Sequence, residues 1–411
     1  MKKFWVSTIF LGLFAAGCAR DEGPDQATPE RPDTVREFTL QERAVANASN
    51  HFAFELLGEA NAAESSKPNL LLSPLSVSMA LGMALNGAAG STFTAMRETL
   101  GFGTLSQAEV NAAYEGLIRQ LRARDAKVEF GLANSIWYNQ GFPVYAMFVD
   151  TVHHYFDAEV RALDFRSASA PQTISKWAEA ETGGRIKDLI KQIADYEVMF
   201  LVNAVYFKAP WSVPFDKGAT ASAPFTRRDG SQTNVPMMSH DGSYPWAVSA
   251  EGSAVELLYG DSAFSMVLWL PAEGVSLNSA ASSMTDARWN ALLAGLRSQR
   301  VMLRMPKFRF DYEVELKDVL TTLGMGVAFV PLEANFTRIA DRADIFLSRV
   351  THKSFIDVHE LGTEAAAATA VGVGITSMPP TLSFDRPFFF VIRERSSGAV
   401  LFAGRVSDPN S

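Results

Sequence analysis

The stretch from Glu360 to Pro380 constrains the fold of this chain more than any other. It follows a short alternating run, Phe355 to Val358, which predicts a β-strand. Read with a period of two, the stretch carries threonine, alanine, valine and isoleucine on one face and mainly alanine and glycine on the other. One face of this segment is therefore able to enter a hydrophobic core as a further strand.

The same stretch has no single local preference. Its run of alanines also favours a helix, whereas Gly372 and Gly374 favour a loop. On composition alone, a linker and an exposed alanine-rich helix are alternatives to the concealed strand. A conformational switch requires a segment of this kind, because a strong preference for one state would prevent the other.

The start of the stretch also carries a recognisable motif. Gly362-Thr363-Glu364-Ala365-Ala366-Ala367-Ala368-Thr369 resembles the hinge of the reactive-centre loop of serpins, the suicide inhibitors of serine proteases. Other serpin-like blocks span roughly residues 37 to 409, namely Asn69 to Ser76, Leu201 to Lys208, Trp211 with Phe215, Val235 to Met238, Met305 to Phe308, Asp385 to Ile392 and Leu401 to Arg405. Because these blocks are many and occur in family order, the chain as a whole resembles a serpin.

The resemblance implies one mixed α/β domain, mostly antiparallel, with three β-sheets, about eight to nine helices and an exposed reactive-centre loop near residues 360–380. The residue patterns agree with a mixed fold. Val198 to Phe207 is apolar at almost every position and predicts a strand buried on both faces. Further patterns predict helices near 38–57, 73–85, 106–122 and 285–296, and strands near 128–138, 265–271, 301–305, 388–393 and 400–405.

The resemblance also assigns roles to particular residues. The hinge comprises Gly362, Thr363, Glu364, Ala365, Ala366, Ala367, Ala368 and Thr369. A polar cluster called the shutter, where the strands of the main sheet part, would contain Ser73, Ser76, Asn203 and His352. A second cluster at the top of that sheet, the breach, would contain Trp211, Lys307 and Glu360. In the helix that crosses the sheet, Ser175 replaces the usual asparagine, which leaves one capping contact open.

In such a protein a target protease attacks the loop and forms an acyl-enzyme, and the cleaved loop then inserts into the main sheet. The nucleophile belongs to the protease, so the resemblance implies no catalytic residue, no metal and no cofactor in this chain. The partner is a serine protease held in a covalent complex with a monomeric inhibitor. A serpin-fold surface protein that binds without inhibiting is the alternative.

The reactive bond follows from position in the loop. In serpins the cleaved bond usually lies about sixteen residues beyond the glutamate that Glu360 resembles, and about eight before the strand block that begins here at Phe384. Both counts lead to Thr376, so the resemblance implies cleavage between Thr376 and Ser377. Cleavage before Thr376 or after Met378 is the alternative. The loop has no lysine or arginine, so its small apolar residues favour elastase-like or subtilisin-like proteases over trypsin-like ones.

The sequence motifs of common enzymes are missing from the chain. It has no Gly-x-Ser-x-Gly, His-Glu-x-x-His, Walker or Cys-x-x-Cys motif. His359-Glu360 begins like a zinc motif, but Thr363 stands where the second histidine would be. His153 and His154 lie among apolar residues, which predicts a packing role rather than metal binding. We therefore expect that the protein is not an enzyme.

The N-terminus predicts export. Lys2 and Lys3 precede a short apolar core, so residues 1–17 are typical of a signal peptide. The small residues before Cys18 resemble the lipobox of bacterial lipoproteins, in which that cysteine is lipidated. An ordinary signal peptide with a chance cysteine is the alternative. The residue immediately after Cys18 is Ala19, whereas lipoproteins retained in the inner membrane carry an aspartate there. This favours the outer membrane of the cell envelope, or an extracellular location.

Composition limits the remaining possibilities. Residues 18–37 are rich in proline and charge and predict a flexible, lipid-anchored tether, followed by a serpin domain over residues 38–411. The net charge of −8 argues against binding to nucleic acid. Cys18 is the single cysteine, so a disulfide within the domain is excluded and the domain depends on its core for stability.

Overall fold

The computed structural model describes residues 35–364 and 379–411. The predicted signal peptide, Cys18, most of the tether and the predicted reactive bond between Thr376 and Ser377 lie outside these residues. So does the second part of the predicted hinge, Ala365, Ala366, Ala367, Ala368 and Thr369. Among the described residues, no helix is long and apolar enough to cross a membrane.

Nine α-helices and fifteen β-strands occur in the described part of the chain. The helices are α1 (Leu40–Ala63), α2 (Pro74–Gly87), α3 (Gly90–Thr99), α4 (Gln107–Ala123), α5 (Ala146–Phe156), α6 (Ala170–Glu181), α7 (Leu277–Ser283), α8 (Asp286–Gly295) and α9 (Lys317–Leu320). The strands are β1 (Leu70–Leu72), β2 (Glu129–Asn139), β3 (Ala158–Leu163), β4 (Met199–Pro210), β5 (Ala221–Thr226), β6 (Gln232–Ser249), β7 (Gly252–Tyr259), β8 (Phe264–Pro271), β9 (Arg297–Pro306), β10 (Phe308–Glu315), β11 (Thr351–His359), β12 (Gly362–Thr363), β13 (Thr381–Ser383), β14 (Phe388–Glu394) and β15 (Val400–Val406).

The strands form two hydrogen-bonded sheets. The six-stranded main sheet has the order β10-β11-β12-β4-β2-β3. The nine-stranded second sheet runs β1-β15-β14-β8-β7-β6-β9-β13, with β5 paired to β6. The long strand β6 pairs successively with β5, β9 and β7, so it joins two groups of strands that would otherwise be separate sheets. The three predicted sheets are therefore present as two hydrogen-bonded networks.

Helix ends follow capping signals in the sequence. The Thr39 side chain accepts a hydrogen bond from the amide of Glu42, and the Glu42 carboxylate accepts one in return from the amide of Thr39. Ser106 and Glu109 form the same reciprocal box at the start of α4. Arg36, assigned to the tether, donates to the Glu42 carboxylate and to Gln120, so contacts of the domain begin just before its predicted boundary.

The main sheet packs on both of its faces. Helix α2, which is apolar on nearly every side, lies between β4 of the main sheet and β15 of the second sheet. On the opposite face, α6 covers a smaller core that includes Trp137 of β2 and Phe200 and Val202 of β4. Ser175, which stands where the resemblance implies an asparagine, accepts a hydrogen bond from the amide of Ile190 and donates one to the Ile190 carbonyl through its hydroxyl.

Two sequence predictions are wrong. In β4, alternate residues such as Met199 and Leu201 are only half-buried, because a cavity lies beside them where a full sheet would have another strand. The histidines at 153 and 154 are exposed on α5 and do not pack into the core. The apolar residues around them face inward at helical spacing, and the histidines occupy the solvent side.

Candidate functional site

The main sheet is open between β4 and β11. These strands are linked only at one end, where Gly362 and Thr363 of β12 pair with Pro210 and Ala209 of β4 and with β11. Within the described residues, no backbone ladder joins β4 to β11 over 199–208 and 351–357. We call this gap the slot. Because β12 is antiparallel to both neighbours, a chain continuing from Thr363 would find unpaired strand edges on both sides.

A cavity of ≈ 100 Å³ lies at the far end of the slot. It is bordered by the start of β4, by the segment 344–352 leading into β11, and by α2. Its lining includes the predicted shutter residues Ser76, Asn203 and His352. These three side chains therefore surround the space in which the two strands separate.

The predicted shutter is two hydrogen-bonded groups rather than one. The Ser73 amide donates to Nε2 of His352 at 3.1 Å, and the Ser73 hydroxyl donates to the carbonyl of Leu401 at 2.8 Å. Separately, the Ser76 hydroxyl donates to the Asn203 side chain, which continues to Asn134. The two groups connect α2 to opposite sides of the slot, to β11 and to β4.

Burial controls the protonation of His352. The side chain is 6% exposed, and the loss of solvation lowers its pKa to about 4. Because Nε2 accepts the Ser73 amide proton, the ring is held as the neutral base. Protonation would remove that acceptor and place a charge in the core.

Asn134 belongs to the same network but was missed by sequence reasoning. Its side chain accepts from Asn203 at 2.5 Å and donates to the carbonyl of Phe156 at 2.6 Å, and it is 2% exposed. It therefore links β2, β4 and the end of α5. The sequence signal that could have identified Asn134 is an asparagine inside a predicted strand, because a buried amide requires polar partners.

The predicted breach residues come together at the closed end of the slot. Lys307 Nζ lies 3.1 Å from one carboxylate oxygen of Glu360, and Thr220 donates to the other at 2.8 Å. Partial burial favours the neutral carboxyl, but its own backbone amide, Thr220 and Lys307 together lower the pKa of Glu360 below its ordinary value. Trp211 donates from its indole nitrogen to the carbonyl of His359 at 3.0 Å.

The first hinge threonine is already inside the sheet. Thr363 is 2% exposed, and its hydroxyl lies 2.6 Å from that of Tyr259. The Tyr259 ring stacks on Trp211 with centroids 4.3 Å apart. Burial raises the pKa of Tyr259, so the phenol stays neutral and able to donate. Sequence reasoning had not identified Tyr259, because its role depends on a partner distant in the chain.

Only glycine fits at position 362. Its φ is 149°, and an added Cβ would lie 2.1 Å from the carbonyl oxygen of Ala209. A side chain would therefore push β12 away from β4. Glu364, the next hinge residue after Thr363, forms an ion pair with Arg185, whose Nε lies 2.8 Å from the carboxylate.

These observations define a protein whose main sheet has an open strand position and whose hinge already occupies the closed end. Among the described residues, no group of three histidine, cysteine, aspartate or glutamate side chains is placed to hold a metal. The chain belongs to the serpin family: the family model described as serpin (serine protease inhibitor) matches residues 47–409.

Known relatives share most of the chain. Human neuroserpin is 32% identical over 388 residues, which cover 91% of this chain and 93% of neuroserpin. A serpin-like protein of Thermococcus kodakarensis is 33% identical over 380 residues, covering 90% of this chain and 87% of that protein. These matches confirm the family resemblance inferred from the sequence blocks.

Solved structures confirm the fold. The thermophilic serpin tengpin in its native state aligns with a TM-score of 0.82 at 29% identity, covering 91% of this chain and 96% of tengpin. Human thyroxine-binding globulin complexed with thyroxine aligns with a TM-score of 0.83 at 29% identity, covering 90% of this chain and 99% of that chain. The serpin fold predicted for this chain is therefore correct.

Proposed function

We propose that this protein is a suicide inhibitor of serine proteases that traps its target by inserting the cleaved reactive-centre loop into the slot. The observation that carries the proposal is the open strand position between β4 and β11, with β12 at its closed end. Serpin loop insertion is an established case of strand addition to a sheet. The family description, serine protease inhibitor, supports the same function.

The chemistry belongs to the protease. Its serine oxygen attacks the carbonyl carbon of Thr376, the bond to the nitrogen of Ser377 breaks, and Thr376 remains as an ester on the protease. The segment from Ala365 to Thr376 then continues β12 as a full strand and carries the bound protease along. Displacing a catalytic group by about 1 Å already costs on the order of 100-fold in rate, so the ester persists.

The side chains of the inserting segment suit the slot. Thr363 is followed at period two by Ala365, Ala367 and Thr369, which are small enough to enter a packed core. The open edges of β4 and β11 offer backbone donors and acceptors to both sides of the new strand. The intact hinge favours an inhibitor over a relative that does not inhibit.

The target is an elastase-like or subtilisin-like protease. The proposed residue before the cleaved bond is Thr376, and its neighbours Ile375, Gly374 and Val373 are small or apolar. Proteases with shallow apolar pockets accept such residues. Trypsin-like enzymes require a lysine or arginine, which the loop does not contain.

Mixing the protein with a panel of proteases tests the proposal. An elastase-like or subtilisin-like enzyme should give a covalent complex that survives denaturing electrophoresis, and trypsin should not. Mass spectrometry of the released C-terminal peptide identifies the reactive bond, with Ser377 expected as its first residue. Complete cleavage of the loop without a stable complex for any protease would contradict the inhibitor function.

We also propose that the mature protein is exported and lipid-anchored through Cys18 to the bacterial cell envelope, with the domain acting as a monomer outside the inner membrane. The apolar run before the small residues at 15–17 supports this location. Cells expressing the full chain should incorporate labelled palmitate into the protein, and Cys18→Ser should abolish labelling. Release of an unlabelled, soluble domain would instead indicate an ordinary signal peptide.

A binding protein without inhibitory activity is the second candidate. The observation that favours it is the likeness to thyroxine-binding globulin, whose structure contains thyroxine. A serpin of this kind would be cleaved by elastase and released as a substrate. The electrophoretic experiment distinguishes the two functions, and in neither of them does the chain act as an enzyme.

A further inference from the structure

The hinge is attached to a segment outside the main sheet. Glu364 lies immediately after β12, its side chain is 4% exposed, and its carboxylate accepts a 2.8 Å hydrogen bond from Nε of Arg185. The Glu364 amide donates to the carbonyl of Asp357 in β11 at 3.0 Å. Its φ is 54°, so the backbone of Glu364 itself is left-handed and not extended as in a strand.

Arg185 comes from the turn that follows α6. This turn contains Gly183 and Gly184, both with positive φ, and it ends with the Ile186 amide bonded to the Thr182 hydroxyl. Further along, Leu189 and Ile190 line the cavity at the far end of the slot. The segment 182–190, which we call the cover, therefore lies along the slot on the α6 side of the sheet.

The ion pair joins both edges of the slot. The Arg185 guanidinium lies 5.7 Å from the centre of the Phe355 ring of β11. Tyr206 of β4 faces the same carboxylate, and burial together with the nearby charge of Glu364 raises the pKa of the Tyr206 phenol. The hydrogen bond from Arg185 to Glu364 is also the main reason that the pKa of Arg185 is raised.

We propose that the ion pair between Arg185 and Glu364 is a latch that stops insertion of the uncut loop at Thr363. This inference rests on the proposed insertion of the loop. Entry of the next residues requires Glu364 to change from its left-handed conformation to an extended one, and the cover to move away from the slot. The ion pair opposes both changes at once, because it holds the hinge and the cover to each other.

The latch predicts faster spontaneous insertion when either partner loses its charge. The measurement is the rate at which uncut protein, incubated below its melting temperature, becomes resistant to urea unfolding on transverse-gradient gels. Arg185→Gln and Glu364→Gln should each accelerate this conversion about two- to fivefold, the size expected for an ion pair with one half-exposed partner. The double variant should be no faster than the faster single variant, because both changes remove one interaction.

Lys187→Gln is the matched control. Lys187 lies in the cover and pairs with Glu179 of α6 instead of the hinge, so its conversion rate should equal that of the unaltered protein. Arg185→Lys keeps the positive charge and should restore slow conversion. Raising the salt concentration should accelerate the unaltered protein toward the rate of Arg185→Gln and leave that variant unchanged.

The outcomes separate the latch from the proposed function. Equal conversion rates in all variants, or additive effects in the double variant, would overturn the latch while insertion after cleavage remains intact. If the cleaved, unaltered protein gains no resistance to urea, insertion itself fails and the latch fails with the proposed function. The second result needs only the cleaved, unaltered protein, so it is obtained without any variant.

Discussion

At the scale of single residues, Thr363 occupies a position that does not accommodate a charge. Its side chain is buried against the Tyr259 hydroxyl at the closed end of the slot. An unpaired charge at such a position is strongly disfavoured because it must give up its hydration. The proposed insertion therefore requires small, uncharged side chains on the inserting face from this residue onward.

The first prediction concerns Thr363→Arg. The arginine should hold β12 out of the sheet and slow insertion, so the protein is cleaved as a substrate and released. Denaturing gels with an elastase-like protease should show loss of the covalent complex. Thr363→Ser keeps a small hydroxyl and should inhibit like the unaltered protein. An undiminished complex with Thr363→Arg would contradict the mechanism.

The second prediction is a pH dependence that originates at His352. Its pKa is about 4 in the folded protein and near 6.5 when unfolded, so the unfolded chain binds the proton more readily between these values. The free energy of unfolding should therefore fall as pH decreases through this range, by about 3 kcal/mol from this group alone. Above pH 6.5 both states are neutral and the contribution is constant.

Urea unfolding at several pH values measures this effect. The difference in unfolding free energy between pH 7 and pH 4.5 should be smaller in His352→Gln than in the unaltered protein, because glutamine does not titrate. The comparison uses slopes with pH, so a general loss of stability in the variant does not interfere. Identical slopes would show that His352 does not control acid sensitivity.

At the scale of elements, β12 decides how far the sheet is closed. It is a strand of two residues, yet it provides the only backbone link between β4 and β11 in the described part of the chain. Its first residue must be glycine, because the Ala209 carbonyl occupies the place of a side chain. The slot between β4 and β11 is therefore bridged only by the few backbone hydrogen bonds of β12.

The third prediction tests this element. Gly362→Ala should displace β12 and lower the free energy of unfolding by about 1–3 kcal/mol, the range for a residue forced into a disfavoured conformation. Gly295→Ala is the matched control, since nothing lies within 4 Å of its added Cβ. Thermal unfolding of both variants provides the measurement. Equal melting temperatures would show that β12 contributes nothing to closure.

Elements also show where sequence reasoning succeeds. The reciprocal capping pair of Ser106 and Glu109 can be read from the sequence, because it depends on residues three positions apart in one turn of helix. The end of α1 was placed too early, at Leu57 instead of Ala63, because the last turns are held by packing against other helices. The half-buried residues of β4 were not predicted for a similar reason, because the cavity beside them depends on where the neighbouring elements lie.

At the scale of the whole molecule, the proposed insertion requires the uncut protein, with its open slot, to be less stable than the form in which the loop has entered the sheet. A complete sheet would pair the edges of β4 and β11 and fill the cavity of ≈ 100 Å³ between them. Filling a cavity and pairing buried backbone groups both stabilise a fold. In the proposed mechanism, the segment after Thr363 enters the slot only after the loop is cut.

The fourth prediction follows directly. Protein cleaved in the loop should melt at a clearly higher temperature than intact protein, because the freed segment completes the sheet. Calorimetry of the two forms measures the difference. Cleaved Thr363→Arg is the control, since its loop is blocked from entry and its melting temperature should stay near that of the intact form. No increase in the cleaved unaltered protein would remove the driving force for inhibition.

The sequence by itself determined the class of protein and the chemistry of the hinge, because these depend on residue types at fixed spacing. Small residues at alternate positions, capping pairs and serpin-like blocks can all be read along the chain. Only the tertiary structure decided which distant groups meet: Tyr259 with Thr363, Asn134 with Asn203, and Arg185 with Glu364. Such pairs depend on how separate strands pack in space, which the spacing of residues along one strand does not determine.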